Sequence, residues 1–269
     1  MIPESKADVY VAAFDQASWQ VQHSPLTCKL SQVVPRFGEA TFETVGGGRQ
    51  RFWLRAKNNP WAGGPSELKA VAPNWNPKRA PIAIGSIDIV DGSEPLQLSE
   101  EPAKKLLDSL NAGLVPTFVR PLSSDSSKSV SVKLSPINFR AAYRQYGECI
   151  GQLLPFTFDD IKNTTIEFPL EQSELSAGAQ KKIDTLLRYI ALDHSITHFE
   201  IRGVSSDKQR RLDNLQLAKQ RVQQVSEYLM SRGIDAKAIE STYRGERPAK
   251  GAQRLVTIRL KRSSDASES

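Results

Sequence analysis

The chain has 269 residues, 39% of them apolar and 25% charged, which is enough to bury two ordinary cores. No apolar run reaches the ~18 residues that a membrane-spanning helix needs, so membrane insertion by a helix is excluded. The net charge of +6, with a pI near 9.3, leaves three partners open: nucleic acid, an anionic envelope polymer, or plain solvent.

The opening Met1–Lys6 lacks the apolar segment of a signal peptide. That fits a cytosolic protein, or one whose signal was removed and whose Met1 was added for expression. The first part then reads mainly as strands. Trp19–Gln22 is one. Thr41–Val45 and Arg49–Arg55 alternate about Gly46-Gly47-Gly48, the pattern of a hairpin with a short loop. Leu68–Val71, Ile82–Ile89 and Val130–Leu134 complete the set. Two helices interrupt them. One is expected over Glu100–Asn111, with Ser99 as N-cap, two carboxylates in its first turn and Gly113 as its stop. The other is expected from Pro136 to Leu154, capped by Ser135. The Ser-rich segment Ser123–Ser129 reads as a mobile loop. All four tryptophans (Trp19, Trp53, Trp61, Trp75) fall in the first 75 residues, and none follows Glu171. The two parts therefore have different cores, with a boundary near 155/156. The two cysteines, Cys28 and Cys149, sit in no CxxC or Cys/His cluster, so one disulfide in an oxidising compartment and two buried thiols both fit.

The second part alternates strand and helix. Thr165–Leu170 is a strand, and Ser176 caps a helix with Ala179, Ile183, Leu186, Leu187 and Ile190 on one face. Ile196–Arg202 is a strand. Asn214–Arg232 is a helix with Leu215, Ala218, Val222, Val225 and Leu229 toward the sheet and Gly233 as its stop. Ser241–Arg244 and Leu255–Lys261 are further strands. The expected class is α+β: an N-terminal β-rich domain with two helices over residues 1–155, then an α/β sandwich of two helices on a mixed sheet over 156–262. Residues 263–269 form a polar tail expected to be disordered.

The chemistry-bearing residues cluster around the second strand–loop–helix. Asn214 and Arg221 lie two turns apart on one helix face, and Asp207 lies in the loop before it. Together they can set a carboxylate, an amide and a guanidinium about one groove, suited to a ligand with both carboxylate and amine. The plainer reading of the same residues is an ordinary solvated helix face. His194 and His198 are four apart, but the third His, His23, lies in the other part, so no metal site is expected. No phosphate loop, GxSxG or GxGxxG occurs. Glu200, Asp207 and Glu246 have no nucleophile beside them, so no enzyme activity and no cofactor are expected. Lys208, Arg210, Arg211, Lys219 and Arg221 make a basic cluster, but Phe199, Tyr228 and Tyr243 are too few to stack bases, and no nucleic-acid-binding motif appears.

The second part resembles the OmpA-like peptidoglycan-binding domain. Its Gly–Thr–Asp loop falls at Gly203–Asp207, and its Asn-x-x-Leu-Ser-x-x-Arg-Ala run at Asn214, Leu217, Ala218, Arg221 and Val222. Its tail falls at Tyr243, Gly245-Glu246, Arg254, Val256 and Ile258. The resemblance implies a loop Asp on the ammonium of a stem-peptide diamino acid and an Arg on its carboxylate. It marks Ser206, Asp207, Asn214, Leu217, Arg221 and Arg254 as the peptidoglycan-binding set. Here Ser206 stands at the aligned Asp position, the carboxylate comes one residue later at Asp207, and the next family Gly is Gln209. The first part resembles the MotY family, through Ser24–Cys28, Val34–Ala40, Ala72–Pro77, Val115–Phe118 and Phe139–Ile150. That likeness implies a periplasmic structural protein of the flagellar motor. It would form part of the T ring, dock on the basal body and stator-associated proteins, and help anchor stator units to peptidoglycan. An OmpA-like envelope tether outside the motor is the alternative. The likeness also implies a Cys28–Cys149 disulfide, whose loop of about 120 residues stabilises by roughly 4–5 kcal/mol in the chain-entropy account.

Overall fold

The computed structural model describes residues 8–208, 210–246 and 253–263. Gln209, and the tail beyond Ser263 that was expected to be disordered, lie outside them. The chain divides into two compact units between Pro155 and Phe156. Among the described residues no helix is long and apolar enough to cross a membrane.

The N-terminal unit is built from β1 (Asp8–Tyr10), β2 (Gln20–His23), β3 (Thr27–Val34), β4 (Gly38–Val45), β5 (Gln50–Ala56), β6 (Gly64–Val71), β7 (Ile82–Ile89), β8 (Leu96–Leu98), α1 (Glu100–Asn111), β9 (Val115–Leu122), β10 (Asp125–Lys133) and α2 (Phe139–Ile150). Two five-stranded sheets result, in the orders β1-β10-β9-β6-β7 and β2-β3-β4-β5-β8. The β4–β5 hairpin turns through Gly46–Gly48, where Gly47 and Gly48 take the left-handed conformation that a side chain disfavours. A chain of ring contacts runs through the core from Phe139 to Trp19, Phe42, Phe52, Phe118, Trp61 and Phe37. It passes from β5 in one sheet to β9 in the other, so these aromatics join the two sheets into one apolar interior.

Two expectations change here. Helix α2 starts at Phe139 rather than Pro136, because Asn138 adopts a left-handed backbone (φ 58°) and Phe139 N closes a turn onto Pro136 O. It stops at Ile150, before a run of turns that reaches Leu153. The Ser-rich segment is not a free loop: β10 begins at Asp125, with an irregular register up to Ser129. The Asp125 carboxylate supports that bend by accepting from the Ser127 amide and hydroxyl and pairing with Lys128.

Cys28 on β3 and Cys149 on α2 are joined in a disulfide with a Cα–Cα distance of 6.0 Å. Beside it, Tyr146 shares a 2.8 Å hydrogen bond with Thr44. The disulfide fixes α2 onto the β2–β3–β4 sheet across a sequence separation of 121.

The C-terminal unit comprises α3 (Phe158–Ile161), β11 (Asn163–Glu167), α4 (Ala177–Ile190), β12 (Ile196–Ser205), α5 (Arg211–Ser231), β13 (Ile239–Gly245) and β14 (Arg254–Arg262). The sheet order is β11-β14-β12-β13, with β14 antiparallel to both neighbours and β12 parallel to β13. Helix α4 begins as expected, with the Ser176 hydroxyl accepting from Ala179 N. Helix α5 begins three residues before Asn214, and Leu215 is exposed while Leu217 is buried. The buried stripe is Asn214, Leu217, Ala218, Arg221, Val222, Val225 and Leu229. This is one face at helical spacing, and it includes two polar residues that the sequence pattern assigned to a solvent-facing groove.

At the end of α4, Asp193 accepts from the Ser195 amide and hydroxyl and pairs with Arg262 at 2.8 Å. Burial acts to raise this carboxyl, but the Ser195 hydrogen bonds and the Arg262 guanidinium hold it below its ordinary value of 3.8. A lowered folded value means the pair stabilises the fold above pH 3.8 and loses that contribution as pH falls through the folded value. Asp193→Asn is therefore expected to lower the melting temperature of the C-terminal unit at neutral pH, with wild type and variant converging as melts are taken further below pH 3.8. Reduction of the disulfide is expected to weaken the N-terminal unit by about 2–5 kcal/mol and leave the C-terminal transition in place. Calorimetry with and without reductant checks this, and equal shifts of both transitions would contradict it.

Candidate functional site

Two glycines bring α5 onto the sheet. A Cβ on Gly203 of β12 would lie 2.5 Å from Val222 Cγ2 and 3.0 Å from Ala218 O. A Cβ on Gly245 of β13 would lie 2.3 Å from Leu215 N and 2.5 Å from Arg211 O. Only residues without side chains permit these approaches. They set the first turns of α5 directly over the ends of β12 and β13, where Ser206 and Asp207 leave the sheet.

Asn214 closes that loop. Its Oδ1 accepts from Lys208 N at 2.8 Å, and its Nδ2 donates to Lys208 O at 2.7 Å and Glu246 O at 2.6 Å. The side chain is fully buried and binds the chain itself. Ser206 is tied on the other side: its amide donates to Gln253 O, and its hydroxyl accepts from Gln253 N at 2.7 Å. Arg254 begins β14 opposite Ser205, and its carbonyl accepts from Phe168 N. Leu217 is a core residue beneath the loop.

Arg221 is the centre of the arrangement. Its side chain is 0% exposed, and so is that of Asp207, which it meets at 2.9 Å. Nε donates to Gln172 O at 2.8 Å, Nη2 to Pro169 O at 3.0 Å as well as to Asp207, and Nη1 to Ser205 Oγ at 3.3 Å. The guanidinium also lies 5.2 Å from the Phe168 ring centre. The fork expected to face a ligand is thus held by the chain's own groups. Pro169 and Gln172 belong to the turn after β11, where Glu171 takes a left-handed backbone (φ 58°) and gives its amide to Asp207 Oδ2 at 2.8 Å. Asp207 Oδ1 is buried and meets no donor among the described residues.

Of the predicted residues, the structure brings Asp207, Asn214 and Arg221 together around one loop, with Ser206 and Arg254 on its β14 side. It adds Ser205 and the carbonyls of Pro169 and Gln172. Backbone carbonyls leave no trace in residue types, and the strand expected over Thr165–Leu170 instead ends at Glu167, which frees Pro169 for the turn. Among the described residues no cluster of His, Cys, Asp and Glu could hold a metal ion. His198 instead lies 3.4 Å from Glu240 on the neighbouring strand.

Residues 10–155, just over half of the chain, match the MotY N-terminal domain. The chain belongs to the MotY family. Residues 167–257 match the OmpA family, a span that holds the whole Arg221 cluster. In this MotY chain both units are therefore assigned to families. The sodium-type flagellar protein MotY of Vibrio parahaemolyticus serotype O3:K6 (strain RIMD 2210633) is 22% identical over 241 residues, covering 88% of this chain and 82% of that relative. Two solved structures are similar over the C-terminal part. The OmpA-like domain of FopA1 from Francisella tularensis subsp. tularensis SCHU S4 is 21% identical, with a TM-score of 0.32 over 38% of this chain and 75% of that one. The peptidoglycan-associated lipoprotein from Burkholderia pseudomallei is 15% identical, with a TM-score of 0.32 over 36% of this chain and 89% of that one.

Removing one partner of a buried ion pair leaves the other uncompensated, at a cost of about 3–5 kcal/mol. Arg221→Ala strands Asp207 together with two carbonyls, so it is expected to destabilise the C-terminal unit by about that amount in chemical denaturation. Adding Asp207→Ala to it is expected to recover part of the loss, which a double-mutant cycle reads directly.

Proposed function

We propose that this protein is a structural component of the flagellar motor that grips peptidoglycan through its OmpA-family unit. In this reading it works in the periplasm as part of the T ring. It docks on the basal body through its MotY N-terminal unit and helps anchor stator units to the wall. Its role is mechanical rather than catalytic. The family membership and the flagellar name of the Vibrio relative support the motor assignment.

The observation that carries the wall-binding half is the buried Asp207 Oδ1 with no donor, next to the Arg221 fork. A buried carboxylate oxygen without a partner is costly. A stem-peptide diamino acid carries an ammonium and a carboxylate on one side chain. Its ammonium would satisfy Asp207, and its carboxylate would take the Arg221 position that Asp207 holds in the free chain. One internal ion pair is exchanged for two charge-assisted pairs with the ligand. Because both side chains are fully buried in the free chain, entry requires Ser206–Lys208 to swing away from the turn at Pro169–Gln172. The one-residue displacement of the acid thus yields a closed site that the ligand must open.

Co-sedimentation with purified sacculi tests this. Wild type is expected to pellet, and free stem peptide with an intact diamino acid to compete. Arg221→Lys keeps the charge but loses the fork, and under conditions where its melting profile shows it folded it is expected to lose at least about tenfold in affinity. Equal pelleting of wild type, Arg221→Lys and Asp207→Asn would refute the site. A deletion strain that keeps its flagella but cannot swim is the result expected for the motor role, and normal swimming would refute it.

A further inference from the structure

Among the described residues of the N-terminal unit eight large apolar side chains are exposed, and four of them, Val9, Val11, Phe14 and Trp75, line a single groove of about 400 Å³. Phe14 is 74% exposed and Trp75 62%. Scattered apolar residues on a surface are ordinary, but a concave cluster led by two aromatics marks a binding surface. Both rings stand on turns, closed by Gln16 N on Ala13 O and by Asn76 N on Pro73 O. They meet edge to face, 6.5 Å between centres. Trp75 also walls a second groove of about 290 Å³ on its other side, floored by Leu110, Ile137 and Phe139.

The floor is rigid where the rim is not packed. Ser135 exchanges a pair of hydrogen bonds with Gln32, and its carbonyl also accepts from Trp19 Nε1. A site so built loses little entropy on filling.

Charge narrows the occupant. The linings of the two grooves contain Lys133 and Arg140 and no Asp or Glu. Neither cation pairs with a carboxylate among the described residues; Arg140 donates to the Asn111 carbonyl. The contrast is the groove beside Trp53, where Lys29 and Arg51 are matched by Glu43 and Arg55 by Glu94. A concave, apolar floor with two unmatched cations suits neither a flat lipid surface nor a neutral peptide.

We propose that this groove docks an extended segment of a partner protein. Its apolar or aromatic side chains seat on either side of Trp75, and its carboxylates meet Lys133 and Arg140. The inference deepens the docking role given above to this unit and rests on it for the partner's place in the motor. It is independent of the wall-binding site.

The test pans the immobilised full-length, disulfide-intact protein against a displayed random-peptide library. The enriched peptides are expected to combine aromatic or aliphatic residues with Asp or Glu. A synthetic copy of one is expected to bind roughly thirtyfold more weakly to Trp75→Ser, the size of one lost aromatic anchor. Phe14→Ser gives a second reading on the same rim. Both residues are exposed, so both variants should keep the wild-type melting profile. A Lys133→Glu/Arg140→Glu protein is expected to enrich Lys- or Arg-bearing peptides instead. The proposal is overturned by enrichment no better than on a blank surface, by peptides without acidic bias, or by equal affinity for the Trp75 and Phe14 variants. A concentration-dependent dimer that Trp75→Ser abolishes would overturn it in favour of a second copy. Flotation with phosphatidylglycerol vesicles, lost in the same variant, would overturn it in favour of a lipid surface. Motility in a strain lacking the N-terminal unit separates the two readings: intact swimming removes the motor role but not the groove, whereas lost swimming with no peptide binding removes the groove but not the role.

Discussion

A guanidinium taken out of water must find a counter-charge and acceptors for its N–H groups, and Arg221 finds them in three separate stretches of chain. Pro169 and Gln172 come from the turn after β11, Ser205 from the end of β12, and Asp207 from the loop that follows. The conformation of each stretch is dictated by this need. The left-handed Glu171 aims two carbonyls inward, and Asn214 pins the loop from behind through Lys208 and Glu246. A buried charge of this kind gives little net stability but penalises every other arrangement of the loop. The geometry at the sheet end is thus specified by one side chain.

The two units are held together by different physics. The N-terminal unit relies on apolar area: a line of aromatic rings spans its two sheets, and a disulfide anchors its last helix to an early strand. Burial of apolar area is itself non-directional, and the disulfide adds one covalent tie to it. The C-terminal unit places its specificity in short directional bonds at one end of the sheet, above a conventional apolar core between helices and strands. The first design spreads its stability over a large apolar area, while the second concentrates its geometry in a few bonds around Arg221.

The sequence carried much of this. The β4–β5 hairpin was legible in three consecutive glycines, α1 in its acidic first turn and Gly113, and α4 in its Ser176 cap, because each signal is local. Failures came where a local pattern was overruled. Ser135-Pro136 has the residues of a helix start, yet the left-handed Asn138 delays α2 to Phe139. The serines after Leu122 looked like a free loop, but an Asp125 side chain bends them into a strand. In α5 the apolar periodicity favoured Leu215, whereas the buried face runs through Asn214, Leu217 and Arg221. Polar residues on a buried stripe are invisible to a hydrophobic pattern, and their partners here are mostly backbone atoms. That Asp207, Asn214 and Arg221 lie together could therefore be read from residue types, while their burial and internal pairing could not.

The C-terminal sheet also has a temporal logic. Among the described strands β14 comes last in the chain, yet it lies inside the sheet between β11 and β12, which come near the beginning of the unit. Until that final segment emerges, β11 has no neighbour in the sheet, and the β12 edge that will receive β14 stays open. Non-local pairings of this type form late. A chain cut anywhere before Arg254 keeps α4 and α5 but lacks the strand that joins β11 to β12, so the sheet closes only when β14 is added.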